Sequence, residues 1–264
     1  MTESIEINQK AAIGSETTQI AIQNNYSGLT PSEACDLATK LFYDNFPRLQ
    51  ECAMQVTEQR IKEFMDEVAK KLQQNNVVDM TPLADPDVQY SLFEAQKSYA
   101  RFGTAEMLSI LSDLISNRVQ CNNDDVHIKV SVDSAIEIAG LLSQNDLDYL
   151  SFIFLVKQVK FSSIKTFDEL KTHILHFEKI FSGVSKLAVP YLDSLKCLKI
   201  QLGSPAEMYS DLYGFDKNEI ENVLPALFDE VSGDHGTSPI GTVLAIVNAE
   251  KKTPHKFSLK TWID

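Results

Sequence analysis

Thr30-Pro31-Ser32-Glu33 opens the stretch that decides the fold of this chain. A threonine N-cap, a proline at the first helical position and a glutamate that reaches back to the cap form a capping box. We predict a long amphipathic helix over residues 30–76, with a kink or break near Pro47 because proline removes a backbone donor. Its apolar residues recur at spacings of three, four or eight, as one helix face requires: Leu37, Leu41, Leu49, Cys52, Val56, Phe64, Val68 and Leu72.

Capping signals continue through residues 77–182 and predict a helical domain there. Asp85-Pro86, Thr104, Ser143 and Thr166 each precede a run of apolar residues with helical spacing. The longest apolar run, residues 150–156, is far shorter than the ~18 residues of a membrane span, so we interpret it as a buried helix.

The last part of the chain, residues 183–264, mixes helix and strand signals. Leu198–Leu202 and Phe257–Ile263 alternate apolar and polar residues, which predicts two strands. Capped helices beginning near Ser204 and Asp216 lie between them, so the wiring is winged-helix-like with a long insertion. The predicted fold is therefore mainly α: a multi-helix globular protein with a small winged-helix-like α+β part at the C-terminal end.

Residues 1–29 have a different character from the rest. Ile20 and Ile22 fall on one side of an extended chain, and amide side chains surround them. Such a segment can stack on copies of itself, because amide ladders and a dry apolar face both favour stacking. A disordered tail and a strand paired within the chain are the alternatives. The predicted association motif comprises Gln19, Ile20, Ala21, Ile22, Gln23, Asn24, Asn25 and Tyr26.

Composition narrows the possible functions. The net charge of −13 repels phosphate backbones and anionic lipid, which argues against nucleic-acid binding and membrane-surface binding. No signal peptide and no CxxC pair among the four cysteines is found, so we expect a cytoplasmic protein with reduced thiols. We interpret two short lysine groups as solvated faces: Lys157, Lys160 and Lys165, and Lys251, Lys252 and Lys256.

Candidate catalytic residues are sparse. His173 and His176 share a predicted helix face but lack a third ligand, so we predict neither a metal nor a cofactor. Asp229-Glu230 and Asp234-His235-Gly236-Thr237 look like a catalytic cluster, although a glycine-containing loop explains them better. No GxSxG, P-loop, GxGxxG or HExxH motif is present, and we assign no catalytic residue. Three polar residues on the helix after Asp85 form a possible partner surface: Gln89, Gln96 and Arg101.

The chain resembles a family of uncharacterised bacterial proteins over nearly its whole length. Residues 19–29 and 85–90 carry the likeness, together with residues 147–155, 191–197 and 259–263. The family usually has glycine where Ala21 stands, and Leu-Gly-Cys where this chain has Leu195-Lys196-Cys197. The opening motif, with Phe42 and Phe46-Pro47 in the next helix, is also similar to Abi-alpha proteins, a group associated with abortive infection. Residues 19–24 resemble, more loosely, bacterial amyloid-signalling motifs related to the RIP homotypic interaction motif.

These observations favour a non-enzymatic protein of bacterial antiphage immunity that associates with itself or a partner through residues 13–76. One alternative is a DNA-binding regulator that uses the winged-helix-like part, which the acidic net charge opposes. Another is an enzyme whose site forms only in three dimensions, around Asp234 and His235.

Overall fold

The computed structural model describes residues 30–77, 79–122, 124–181, 185–200, 205–221 and 235–263. The predicted motif of residues 19–26 lies outside these ranges. Contacts divide the chain into two units, Met1–Cys52 and Ala53–Asp264. The described part of the first unit is the beginning of helix α1, which spans Pro31–Gln74.

The capping box at the start of α1 forms as predicted. The backbone N–H and the hydroxyl of Thr30 both donate to Glu33 Oε2 at 2.8 Å, and the Glu33 N–H donates to Thr30 Oγ1 at 3.3 Å. These bonds hold the pKa of the Glu33 carboxyl below its usual value. The helix does not break at Pro47, since α1 runs through this residue without interruption, and the kink stays a prediction. One missing N–H removes a single bond of the ladder, and the turns on either side keep theirs.

The second unit is mainly helical, in agreement with the sequence. Single 3₁₀ turns occupy Thr81–Ala84 and Lys186–Ala188, and residues 217–221 are helical. After α1, the helices and strands follow in this order: α2 Pro86–Phe102, α3 Ala105–Val119, α4 Val126–Ala139, α5 Gln144–Lys157, α6 Phe167–Ile180, α7 Val189–Ser194, β1 Leu198–Ile200, α8 Pro205–Tyr213, β2 His235–Thr237, α9 Pro239–Lys252 and α10 Leu259–Ile263.

Helices α5 and α9 form the centre of the core and pack mainly on each other. Residues 147–157 of α5 and 241–249 of α9 are buried on all sides. A helix that is apolar around its whole circumference must lie inside the protein. The interpretation of the long apolar run as a buried helix is therefore confirmed. Helices α2, α3 and α4 pack against one another beside this pair, and α9 also contacts α4.

The predicted caps of the inner helices are also confirmed. Ser143 with Asp146, and Thr166 with Glu169, make both bonds of a capping box. Asp85 accepts from the Asp87 N–H, and Thr104 accepts from the Met107 N–H. Each cap satisfies a backbone donor that the first helical turn would otherwise leave unpaired.

The small sheet differs from the prediction. Strand β1 lies where expected but pairs antiparallel with residues 235–237, which the sequence predicted to be a loop. The predicted second strand is wrong, because its residues 259–263 form α10. The alternating apolar and polar residues also contain a helical spacing, since Leu259, Trp262 and Ile263 all pack against the core. The centroid of the Trp262 ring lies 5.0 Å from that of the Phe154 ring. Contact with the core thus overrides the period-two pattern.

Candidate functional site

Helix α1 carries an exposed apolar face in the first unit. Cys35, Phe42, Phe46 and Leu49 follow one another at spacings of seven, four and three, which places them on one side of the helix. Phe42, Phe46 and Leu49 are 54%, 40% and 57% exposed. We call these four residues the α1 apolar face. They give this helix a surface that water solvates poorly.

The opposite side of the same helical segment is charged. Its residues recur at spacings of three and four, and all are exposed: Glu33, Asp36, Lys40, Asp44, Arg48 and Glu51. A helix with one polar and one apolar side is the form that a partner-binding or core-packing helix takes. Because the apolar side is exposed in residues 31–52, this segment is the strongest candidate for an association surface.

The three residues of the predicted partner surface on α2 make different contacts. Gln89 donates to the Leu83 carbonyl, and Gln96 Nε2 donates to Met65 Sδ at 3.1 Å. Both amides therefore serve contacts within the fold. Arg101 is exposed, and its guanidinium lies 4.9 Å from the centre of the Phe102 ring.

Two aromatic side chains of α2 are exposed to solvent, which the sequence analysis did not predict. Tyr90 and Phe93 are 57% and 58% exposed. Sequence reasoning missed them because an aromatic residue in an amphipathic helix is usually assigned to the core. Their three-residue spacing, out of step with the buried residues Val88, Leu92, Ala95 and Tyr99, was the available signal.

The histidines of α6 lie in an aromatic environment. The His173 ring is 4.4 Å from that of Phe161 and 4.6 Å from that of Phe177. Burial lowers the pKa of His173, and the nearby His255 and His176 lower it further. No group of three or more metal-ligating side chains occurs among the described residues.

His235 contributes its backbone carbonyl, rather than its side chain, to the contacts that the structure describes. It lies on β2, and its carbonyl accepts from Lys157 Nζ at 3.0 Å. Its Nδ1 is buried and has no hydrogen-bond partner within the described ranges. Residues 229, 230 and 234, which the sequence placed beside it, lie outside those ranges.

The interpretation of the lysine groups as solvated faces is wrong for one of the six, Lys157. Lys157 is 4% exposed, whereas Lys251 and Lys252 are exposed residues whose ammonium groups also form ion pairs with Asp113 and Asp148. Lys160, Lys165 and Lys256 are exposed, as predicted. The difference arises because the stem of a lysine can cross apolar surface, so that the Lys157 ammonium reaches the carbonyl of His235.

Asp148 is the centre of a buried polar network that the sequence did not reveal. It is 2% exposed, and Lys252 Nζ donates to both of its carboxylate oxygens at 2.7 Å. Asn248 Nδ2 and Gln144 Nε2 donate to Asp148 Oδ1 at 3.0 and 2.8 Å. Because the charge of Asp148 is paired and its oxygens accept hydrogen bonds, the network joins α5 to α9 without leaving an unpaired charge.

Every helix in the described ranges is too short or too polar to cross a bilayer. A family model for an uncharacterised protein family matches residues 28–235. No curated protein and no solved structure matches the chain.

Proposed function

The chain belongs to this uncharacterised family, and we propose that it is a non-enzymatic, self-associating protein of bacterial antiphage immunity. In this proposal the occupant of the α1 apolar face is a second copy of the chain. Residues 13–28 add the second association segment, immediately before the capping box at Thr30. The exposed apolar face of α1, opposite a charged one, is the observation that carries the proposal.

The free energies of burial and of association indicate how much the α1 apolar face and residues 13–28 each contribute. Full burial of a phenylalanine or leucine contributes about 1.5–3 kcal/mol. Phe42, Phe46 and Leu49 are each about half buried already, so covering the exposed half gains about half of that free energy. Six such side chains in a pair of helices therefore supply roughly 5–9 kcal/mol. Association costs about 4–15 kcal/mol in lost freedom. The helix face alone gives weak pairing at best, so stable assembly requires a contribution from residues 13–28.

A second copy fits this face better than a membrane does. Helices that lie on bilayers carry lysine and arginine on the polar side, where they meet anionic headgroups. Here the charged side has four carboxylates and two cations, and the whole chain has a net charge of −13. A protein surface is the remaining way to cover the face, and a copy of the chain supplies an equal apolar surface.

The immune setting is supported by resemblance. Residues 19–29, and Phe42 and Phe46-Pro47 in the helix that follows, are similar to the opening of Abi-alpha proteins. In that setting assembly of the chain, rather than a catalysed reaction, would restrict phage growth.

Deletion of residues 1–29 tests both parts of the proposal. The truncated chain should have a lower mass by light scattering than the full chain, relative to the mass of its own monomer. A host that expresses the full chain should plate phage less efficiently than a host that expresses the truncated one. An unchanged oligomeric state together with unchanged plating would contradict the proposal.

A further inference from the structure

The second unit contains a polar cavity that the association proposal does not use. Its volume is about 470 Å³, and it lies between the end of α1, α3, α9 and the segment that follows α9. Cavities of this size hold small metabolites. The residues that matter here are Lys71, Asn117, Lys251, Lys256, Phe257 and Leu259.

Two ammonium groups share one carboxylate at this cavity. Lys71 Nζ lies 2.7 Å from Asp113 Oδ1, and Lys251 Nζ lies 3.0 Å from Asp113 Oδ2. The side chains of all three are only 20–24% exposed. Asp113 is thus the one carboxylate at ion-pair distance from both ammonium groups, while Glu67, which pairs with Lys70, acts on Lys251 from farther away. At a site partly withdrawn from water, a bound anion would complete the pairing of the two ammonium groups.

The other charged residues that line the cavity are a lysine and a glutamate, which pair with each other. Lys256 Nζ lies 3.0 Å from Glu250 Oε2, and the other oxygen of Glu250 accepts from the Phe257 N–H at 2.8 Å. The side chains that line the cavity thus include three cations and two carboxylates, in a chain whose net charge is −13.

Neutral donors also line the cavity. The side-chain amides of Asn117 and Gln74 make no hydrogen bond to any described residue. An amide N–H beside an ammonium is a common arrangement for holding phosphate oxygens. Val247, Phe257 and Leu259 also line the cavity and offer carbon surface to the rest of a ligand.

The titration of Lys251 agrees with an unbalanced site. The pKa of its ammonium is lowered to about 8, mainly by burial and also by the neighbouring Lys71, against the opposing effects of Asp113 and Glu67. An anion bound beside Lys251 would favour the charged form.

We propose that this cavity binds a small organic phosphate, with the phosphate group held between Lys71 and Lys251 and bonded by the Asn117 amide. The carbon part of the ligand lies toward Phe257 and Leu259. This site belongs entirely to the second unit and does not depend on the proposed association through α1.

Calorimetric titration of the full chain with inorganic phosphate, ribose 5-phosphate and ribose tests the proposal. Inorganic phosphate and ribose 5-phosphate should bind with a Kd on the order of 1 mM or tighter, and ribose should not bind. Lys251→Gln should weaken phosphate binding at least tenfold. Lys97→Gln, which removes an exposed lysine of α2 that is paired with Glu94, is the matched control and should leave binding unchanged.

Asn117→Ala keeps the test decisive if Lys251→Gln fails to fold, because it removes a donor without disturbing an ion pair. It should also weaken binding severalfold. Three results would overturn the proposal: no binding of either phosphate, equal binding in the Asn117 and Lys97 variants, or an effect that sodium chloride reproduces at matched ionic strength.

Discussion

The rings of Phe42 and Phe46 lie with their centroids 5.3 Å apart on one side of α1, and both are exposed to solvent. Two phenylalanines one helical turn apart form a continuous apolar strip, which Leu49 extends by a further turn. The same side of the helix bears Cys35, and Cys52 lies near its edge. These thiols can report whether two copies meet here.

Mild oxidation should link two copies of the chain through Cys35. Cys35 and Cys52 are exposed, whereas burial raises the pKa of Cys121 to about 11 and that of Cys197 to about 12, so the latter thiols react slowly. Parallel pairing brings the two copies of Cys35 together, and Cys52→Ser should then still form a dimer. Antiparallel pairing brings Cys35 near Cys52 of the other copy, so either serine variant should abolish the dimer.

Non-reducing electrophoresis after copper-phenanthroline oxidation measures this. Cys35→Ser combined with Cys52→Ser is the control for the inner thiols. A wild-type chain that remains monomeric under oxidation, or a dimer that survives in the double variant, would contradict pairing through the α1 apolar face.

Asp148→Ala should strongly destabilise the fold. The substitution leaves the Lys252 ammonium and the Asn248 and Gln144 amides without the acceptor that they share. Breaking a fully buried ion pair from one side costs about 3–5 kcal/mol, and the exposure of Lys252, whose ammonium water can then solvate, places the expected loss at about 2–3 kcal/mol. Lys70→Ala, which removes an exposed pair with Glu67, is the control and should cost under about 1 kcal/mol. Urea unfolding measures both, and equal losses would show that the Asp148 network is unimportant for stability.

Gly241→Ala should also destabilise the chain, through close contact with the backbone. Its Cβ would lie 1.9 Å from the carbonyl oxygen of Cys197, which accepts from the Ser238 N–H at 2.9 Å. Relief of this overlap requires movement of the start of α9 away from β1, at a cost of about 1–3 kcal/mol or more. In Gly140→Ala the nearest atoms, at 3.2 Å, belong to side chains that can rotate, so its melting temperature should fall less. A larger fall for Gly140→Ala would refute this account of the α9 start.

Lys251 should make a pH-dependent contribution to stability. Its pKa is about 8 in the folded chain and 10.5 without burial, so between these values the unfolded state binds more protons. The free energy of unfolding therefore rises with pH over this range, by at most about 1.4 kcal/mol per pH unit. Partial exposure of the side chain reduces the total to about 1–2 kcal/mol.

The measurement is the difference in unfolding free energy between the wild type and Lys251→Met from pH 7 to pH 10, followed by the fluorescence of the single tryptophan, Trp262. Subtraction removes the opposing titration of the buried thiols, which both proteins share. A difference that is flat or falls with pH would show that Lys251 is not desolvated.

Local signals in the sequence predicted the helices well. Thr30, Ser143 and Thr166 each cap a helix with a partner three residues away, so the information lies within one turn. Repeated agreement of cap and apolar spacing is why the mainly α fold could be predicted.

The errors arose where distant residues decide the outcome. Residues 235–237 form a strand only because β1 pairs with them, and residues 259–263 form a helix that packs on Phe154. Asp148 and Lys252 are 104 positions apart, so the sequence around either residue does not indicate that the two pair. The stripe predicted from the sequence shares only Leu49 with the α1 apolar face, because Leu37 and Leu41 lie on another side of the helix, and the exposure of residues 31–52 required the structure.

The mass of the full chain in solution, with a charge placed on the α1 apolar face, tests the central claim most directly. Light scattering should give a multiple of the monomer mass for the wild type and for Asp44→Lys, which alters the charged side of the same helix. Phe46→Glu should shift the mass toward the monomer, because a carboxylate in the paired face would be desolvated. A monomeric wild type, or a Phe46→Glu chain that keeps the wild-type mass, would contradict association through this face.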